Sequence, residues 1–383
     1  MKYVILRCED GARNRQTAAL LEGAKTAHLQ QLAQGGAAGV LRHAAEYDHG
    51  DPALLHRGLL GLDPQDVDVA AARCYTASAN IAMEPGETAW CCDLVTQHEG
   101  VLIDPEAGRI TTKESDLLVK ALDEHLGAEG RRWATGSGPH HVLITRDPAL
   151  AAERGHAVRS PHRLVGQEWA RHFPKGELGD ALRMLVEQSS QILESHSINR
   201  VRLDLGENPA NLIWLWGPTS GGAGSSFKER TGLSAAVVSN SFWLQGLAKA
   251  MNLGWSEGPP SFEEPAVHRW VKAIVPLVRA HDLVYIHLRV NTDDPVERLC
   301  AMERIDQLLL KPLTDQLPAL GAWRLMSVID DRRSRVVPFV AIGSGLPQQP
   351  VSQLTPEAFA ASPLRQEDGL RLFSWFTTPS ASP

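Results

Sequence analysis

The chain has 383 residues and a formal net charge of −7, with no basic run long enough to argue for a nucleic-acid partner. Its 43% hydrophobic and 22% charged residues are those of an ordinary soluble globular protein, and the length allows one large α/β domain or a core carrying an insertion. Five cysteines (Cys8, Cys74, Cys91, Cys92, Cys300) form neither a CxxC pair nor an even framework, and the apolar run Tyr3 to Leu6 is too short for a signal peptide or a span. A cytoplasmic protein with reduced thiols and no membrane partner is expected.

In chain order, Lys2 to Cys8 predicts a short buried strand ending in the loop Glu9-Asp10-Gly11, and Thr26 to Ala33 a helix closed at Gly35-Gly36. Glu87 to Val95 predicts a strand behind the Pro85-Gly86 turn, Thr111 to Leu126 an amphipathic helix, and His141 to Ile144 a short strand. Leu178 to Glu194 reads as helix. From Leu212 onward strand and helix alternate: strands at Leu212–Trp216, Ala235–Ser239, Leu283–Val290, Trp323–Ile329 and Val336–Ile342, and helices from Phe242 and Pro295. That alternation predicts a mostly parallel sheet covered by helices on both faces. The stretch after Pro347, rich in Pro, Gln and Ser, is expected to carry little structure.

Open α/β sheets bind ligands beyond the carboxyl ends of their strands. Three acidic loops fall at such ends: Glu9-Asp10, Thr292-Asp293-Asp294 and Asp330-Asp331. They mark a candidate site for a hard cation, although acidic residues after strands are also common helix caps.

The segment Asn208-Pro209-Ala210-Asn211-Leu212-Ile213-Trp214-Leu215-Trp216-Gly217, followed by Phe227 to Leu233, resembles the signature of the archaeal-type cofactor-independent phosphoglycerate mutases of the alkaline phosphatase superfamily. Tyr3–Gly11, Thr26–Gly39, Leu59–Pro64, Ala107–Ile110, His196–Arg202 and Glu303–Asp306 extend the likeness along most of the chain. The resemblance implies an α/β fold: an alkaline-phosphatase-like core, residues 1–105 and 185–383, whose mostly parallel sheet is flanked by helices, with a smaller inserted α+β domain at 106–184. It also implies chemistry in which two divalent metals and a transiently phosphorylated serine transfer a phosphoryl group.

Position by position, the first metal aspartate falls on Asp10, and the nucleophile on Asp51 or Pro52, neither of which is a hydroxyl. The family's Asp-Glu-Ala-Gly-His falls on Thr292 to Val296 without its histidine, and its Asp-His pair on Asp330-Asp331. The last metal histidine belongs to a loop shortened here to Arg332–Arg335. A phosphate-facing arginine becomes His140, and an asparagine becomes Asp93. His196, Asn199, Arg200, Arg202, Lys228 and Arg230 remain as expected anion contacts.

For Asp10, Asp330 and Asp331, with Asp51 as a fourth carboxylate, one reading is a single site for Mg²⁺, Mn²⁺ or Ca²⁺. The other is strand-end caps and ion pairs with Arg332, Arg333 and Arg335. His49, Asp51 and His56 read as a surface loop rather than a rebuilt cluster, and Cys91 and Cys92 as core. The function expected is a degenerate mutase homologue without mutase activity. It would bind a small phosphorylated or carboxylic acid, or a protein partner, at Arg200, Arg202, Lys228, Arg230 and His140, with at most one divalent cation, Mg²⁺ or Mn²⁺. The alternative is a metal-dependent phosphotransferase, phosphatase or mutase with an altered metal site.

Overall fold

The structure, a computed structural model, describes residues 1–10, 23–42, 52–63, 70–151, 158–221, 224–292, 294–331 and 336–378; the side chains of Pro52 and Asp331 lie outside that description. In chain order the strands are β1 (Lys2–Asp10), β2 (Ala37–Arg42), β3 (Thr88–His98), β4 (Val101–Asp104), β5 (Arg131–Ser137), β6 (His140–Thr145), β7 (Leu212–Thr219), β8 (Ala235–Val238), β9 (Gly254–Ser256), β10 (Leu283–Val290), β11 (Trp323–Asp331), β12 (Val336–Gly343) and β13 (Arg365–Gln366). The chain forms two compact units, Met1–Pro64 with Ser226–Asn240 and Asn252–Pro383, and Gln65–Ser225 with Ser241–Met251. The segment 106–184, expected as an inserted domain, falls within the second unit. No helix among the described residues is long and apolar enough to cross a membrane.

The first unit is mixed α/β. Its eight-stranded sheet runs β13-β2-β12-β11-β1-β10-β8-β9, antiparallel only where β12 meets β11 and β2. β1 pairs in parallel with both β10 and β11, so its side chains alternate between two buried faces. Val4, Leu6 and Cys8 join Val284, Ile286 and Leu288 in a core with Leu29, Trp270, Ile274, Met302 and Leu309 from the helices. The opposite face carries Ile5, Arg7 and Glu9, level with Tyr285, His287 and Arg289 on β10. Because both neighbours keep pairing, β1 continues through Glu9 and Asp10, which the sequence suggested as loop.

Two further differences have local causes. The helix expected from Pro295 widens into a π turn at Asp306–Leu310, next to Pro312, which has no N–H for a carbonyl one turn back. The buried Asp306 accepts from the amides of His28 (3.0 Å) and Leu29 (2.7 Å). It thereby caps the helix Ala27–Gly35, whose own Thr26 makes no side-chain cap bond. Over its described residues, to 378, the stretch after Pro347 is ordered rather than irregular. Pro356 opens a helix to Ala361, β13 pairs with β2, and the helix Gly369–Thr377 is capped by Asp368 and buries Leu372, Phe373 and Phe376. Prolines there start elements instead of breaking them.

In the second unit, β7 and β6 flank β3 in a five-stranded antiparallel sheet with β4 and β5. The signature segment acts there as a clasp. Asn199 Nδ2 donates to the carbonyls of Leu193 (2.8 Å) and Ala210 (2.9 Å), and its Oδ1 accepts from the Ala210 amide. Asn211 exchanges two hydrogen bonds with the backbone of Gln97, and Asn208 donates to Asp104. Cys91 and Cys92 are both fully buried, as expected of core residues.

Candidate functional site

At the carboxyl ends of β1, β10 and β11 the polar face of the first unit becomes a closed network of charges. Glu9, 1% exposed, meets Arg7 at 3.1 Å, Arg289 at 3.2 Å and His287 Nε2 at 3.0 Å. Arg7 also pairs with Asp330. Burial opposes the Arg7 charge, but Asp330 and Glu9 outweigh it and hold the guanidinium protonated. On the far side of β1, Asp10 receives both ends of the buried Arg298 guanidinium, with Nε at 3.2 Å from Oδ1. Arg298 lies on the helix Pro295–Ile305 that follows β10.

Imidazole and hydroxyl groups complete the network. His287 Nδ1 lies 2.9 Å from Ser239 Oγ, and His56 Nδ1 lies 2.7 Å from the Tyr285 hydroxyl. The two imidazoles meet edge to face at 4.5 Å. Burial pushes the His287 pKa down despite the pull of Glu9, which leaves a neutral ring. Burial also raises the Tyr285 pKa, so the phenol keeps its proton. Glu9, His56 and His287 are the one group of three metal-capable side chains among the described residues, with ligand atoms within 4.8 Å of one another.

The pair of divalent ions that the resemblance implies does not fit this arrangement. Asp10 and Asp330 each already face a guanidinium, and a dication placed beside it would meet a fixed like charge. Of the carboxylates expected to hold a single cation, Asp10 and Asp330 are thus ion-paired, and Asp10 and Asp331 are register partners on β1 and β11. Asp51, His49, Asp293 and Arg332–Arg335 lie outside the described residues, and Pro52 begins the helix Pro52–Leu59.

The expected anion contacts divide between the units. Arg202 is buried in the second unit, where it donates to Glu114 (2.8 Å) and to the carbonyls of Ala107 and Asn208, and pairs with Glu207 (3.1 Å). It thereby holds the left-handed turn Ala107–Arg109. His196 caps the helix Ser197–Asp204, on which Arg200 is exposed. Lys228, exposed, and Arg230, half-buried, lie in the first unit on the helix Phe227–Thr231. His140, in the second unit, is held against Asp93 at 2.8 Å. Arg7, His287 and Arg298 were missed as site residues, and Glu9 was named only within the acidic loop Glu9-Asp10. Their signal was polar alternation at the ends of apolar strands, in Arg7-Cys8-Glu9 and His287-Leu288-Arg289.

A family model described as 2,3-bisphosphoglycerate-independent phosphoglycerate mutase matches residues 33–199. The chain is 27% identical over 327 residues to the enzyme of that name from Methanosarcina mazei, covering 82% of this chain and 81% of the relative. It is 27% identical over 369 residues to the one from Methanothrix thermoacetophila, covering 90% and 92%. Among solved structures, the cofactor-independent phosphoglycerate mutase of Thermoplasma acidophilum aligns with a TM-score of 0.58 at 23% identity, over 98% of this chain and 99% of that one. A Pyrococcus horikoshii protein aligns with a TM-score of 0.64 at 18% identity, over 98% and 96%. These two likenesses show the shared fold, the alkaline-phosphatase-like α/β arrangement with a largely parallel sheet. Taken with the sequence relatives, they make the chain similar along most of its length to the 2,3-bisphosphoglycerate-independent phosphoglycerate mutases.

Proposed function

We propose that this chain has left two-metal phosphoryl transfer and acts by holding a small phosphorylated or carboxylic acid, or a protein partner, without turning over phosphoglycerate. The observation that carries this reading is the pairing of Asp10 with Arg298 and of Asp330 with Arg7, all buried. Two guanidiniums supply fixed charge where the family's chemistry needs exchangeable cations. Nucleophile and metals act as a unit in such chemistry, so losing several members at once removes nearly all of the rate. The proposed anion contacts are taken unit by unit, His140 and the exposed Arg200 in the second and Lys228 and Arg230 in the first; Arg202 is committed to the fold.

A second reading rests on Glu9, His56 and His287. Two imidazoles and a carboxylate suit a single zinc-like ion; each imidazole Nδ1 lies against a hydroxyl, and His287 Nε2 already faces the Glu9 carboxylate at 3.0 Å. Against it stand Arg7 and Arg289 on the same carboxylate.

One preparation tests both readings. Assayed with 3-phosphoglycerate and Mn²⁺, Mg²⁺ or Co²⁺, the protein is expected to give no 2-phosphoglycerate above a mock purification. Conversion that Asp10→Ala abolishes overturns the first reading. Elemental analysis after incubation with Zn²⁺ or Mn²⁺ and dialysis is expected to show no stoichiometric metal. One retained ion per chain, lost in His56→Ala, moves the conclusion to the second reading.

A further inference from the structure

The second unit holds a polar cluster that uses no residue of the network above. Asp93 on β3 and His140 on β6 are register partners across an antiparallel ladder, so the backbone itself sets their side chains opposite one another. Asp93 is 1% exposed, yet both carboxylate oxygens are held. Trp216 Nε1 donates to Oδ2 at 2.6 Å, the Tyr75 hydroxyl donates to Oδ1 at 3.1 Å, and His140 Nδ1 lies 2.8 Å from Oδ1. Tyr75 comes from the helix Ala71–Ser78 and Trp216 from β7, so three elements besides β3 converge on one buried carboxylate.

The imidazole is fixed as firmly as the carboxylate. Its ring stacks on Phe242, with centroids 6.2 Å apart and planes at 11°, and stands edge-on to Tyr75 at 5.4 Å. Gly136 makes that seat possible, because a Cβ there would lie 2.7 Å from the Phe242 ring. His140 Nδ1 also lies 2.9 Å from the Tyr75 hydroxyl; with that phenol donating to Asp93, a carboxylate that only accepts takes its second hydrogen bond from an Nδ1 that carries the ring proton. The neutral ring then keeps its lone pair on Nε2. That atom has no partner among the described residues, and the side chain is 25% exposed. The neighbouring His141 is the contrast. It points to the other face of the sheet, is fully buried, and accepts from the Gly136 amide at 3.1 Å.

We propose that Asp93 and His140 form an acid–base dyad, in which Tyr75 and Trp216 hold the carboxylate and the outward Nε2 of His140 takes the proton of a small hydroxylated ligand or of a water bound there. The proton moves from the ligand hydroxyl to Nε2, the ligand oxygen keeps the electron pair, and Asp93 is the counter-ion of the imidazolium until the proton returns. This is the orienting-acid and base arrangement found in hydrolytic triads, with a ligand hydroxyl in place of the serine. Phe242 offers the apolar wall beside the imidazole. The proposal does not depend on whether the first unit binds metal or turns over phosphoglycerate.

The experiment combines ring ¹⁵N NMR with diethyl pyrocarbonate modification of the full chain, read by peptide mass spectrometry. In the wild type, His140 is expected as the Nδ1–H tautomer and is expected to react severalfold faster than the exposed His98. Asp93→Asn should slow that reaction to the level of His98, since an amide can donate to Nδ1 and move the ring proton to Nε2. Tyr75→Phe should slow it less. Glycolate, a small hydroxy acid, should protect His140 in the wild type and leave His98 unprotected. An Nε2–H tautomer in the wild type, or reactivity no greater than that of His98, overturns the dyad. So does a rate unchanged in a folded Asp93→Asn protein. Should that variant not fold, the wild-type tautomer decides. Full-rate modification in saturating glycolate overturns the ligand class.

Discussion

Two buried aspartates of this chain are held in opposite ways. Asp10 in the first unit lies against the Arg298 guanidinium, whereas Asp93 in the second is held by an indole, a phenol and an imidazole. Arginine keeps its proton at every physiological pH and presents a planar fork that matches a carboxylate, so the first pair is permanent. The second carboxylate has no fixed cation beside it and is held by hydrogen bonds alone. The contrast suits a first unit in which charge is locked into the fold and a second that carries the dyad proposed above.

The sharpest way to break this comparison is to remove the permanent partner. Arg298→Ala leaves Asp10 buried and unpaired, and the cost expected is about 3–5 kcal/mol of unfolding free energy in urea. Arg298→Ala combined with Asp10→Ala should recover much of that loss. A single variant within about 1 kcal/mol of wild type would mean that the pair is not the lock described here.

A middle-sized effect comes from acid. Burial holds His141 down to about 3, against 6.5 for an unperturbed ring, and His287 is lowered for the same reason. Between those two values the unfolded chain binds a proton that the folded chain refuses, so stability rises with pH across the window and is lost on acidification. One such ring gives a slope of about 1.4 kcal/mol per pH unit, or about 2 kcal/mol between pH 6.5 and about pH 5. His141→Phe should remove that share of the slope in urea titrations at the two pH values; an unchanged slope would show that His141 is not buried neutral.

The smallest effect tests the second carboxylate. Trp216→Phe deletes one of the donors to Asp93 while Tyr75 and His140 stay in place, and about 1.5 kcal/mol of stability should go. A loss as large as that of Arg298→Ala would show that Asp93 relies on the indole alone, and the contrast between the two regions would narrow.

The strands and helices with clear periodicity were legible in advance, including Leu283–Val290, Thr112–Leu126 and the alternation after Leu212. The C-terminal helix Gly369–Thr377 was not, because a stretch dense in Pro, Gln and Ser masked a short apolar stripe at Leu372, Phe373 and Phe376. The site was less legible than the fold. Asp10, Asp330 and His140 stood out by position along the chain, but each one's partner comes from far away: Arg298, Arg7 and Asp93 lie 288, 323 and 47 residues distant. The Asn208–Asn211 segment that carries the resemblance proved to be a backbone clasp.

By itself, then, the sequence determined the likeness to phosphoglycerate mutases, the mostly parallel sheet, and the lack of a hydroxyl at Asp51 and Pro52. Only the tertiary structure decided which charges meet. Periodicity is a local property, set by how successive side chains alternate on a strand or turn around a helix. Charge neutralisation depends on register between strands distant in the chain. Asp330 is the register partner of Glu9 and so comes within reach of Arg7 two residues back on β1, and His140 faces Asp93, because neighbouring strands align them there.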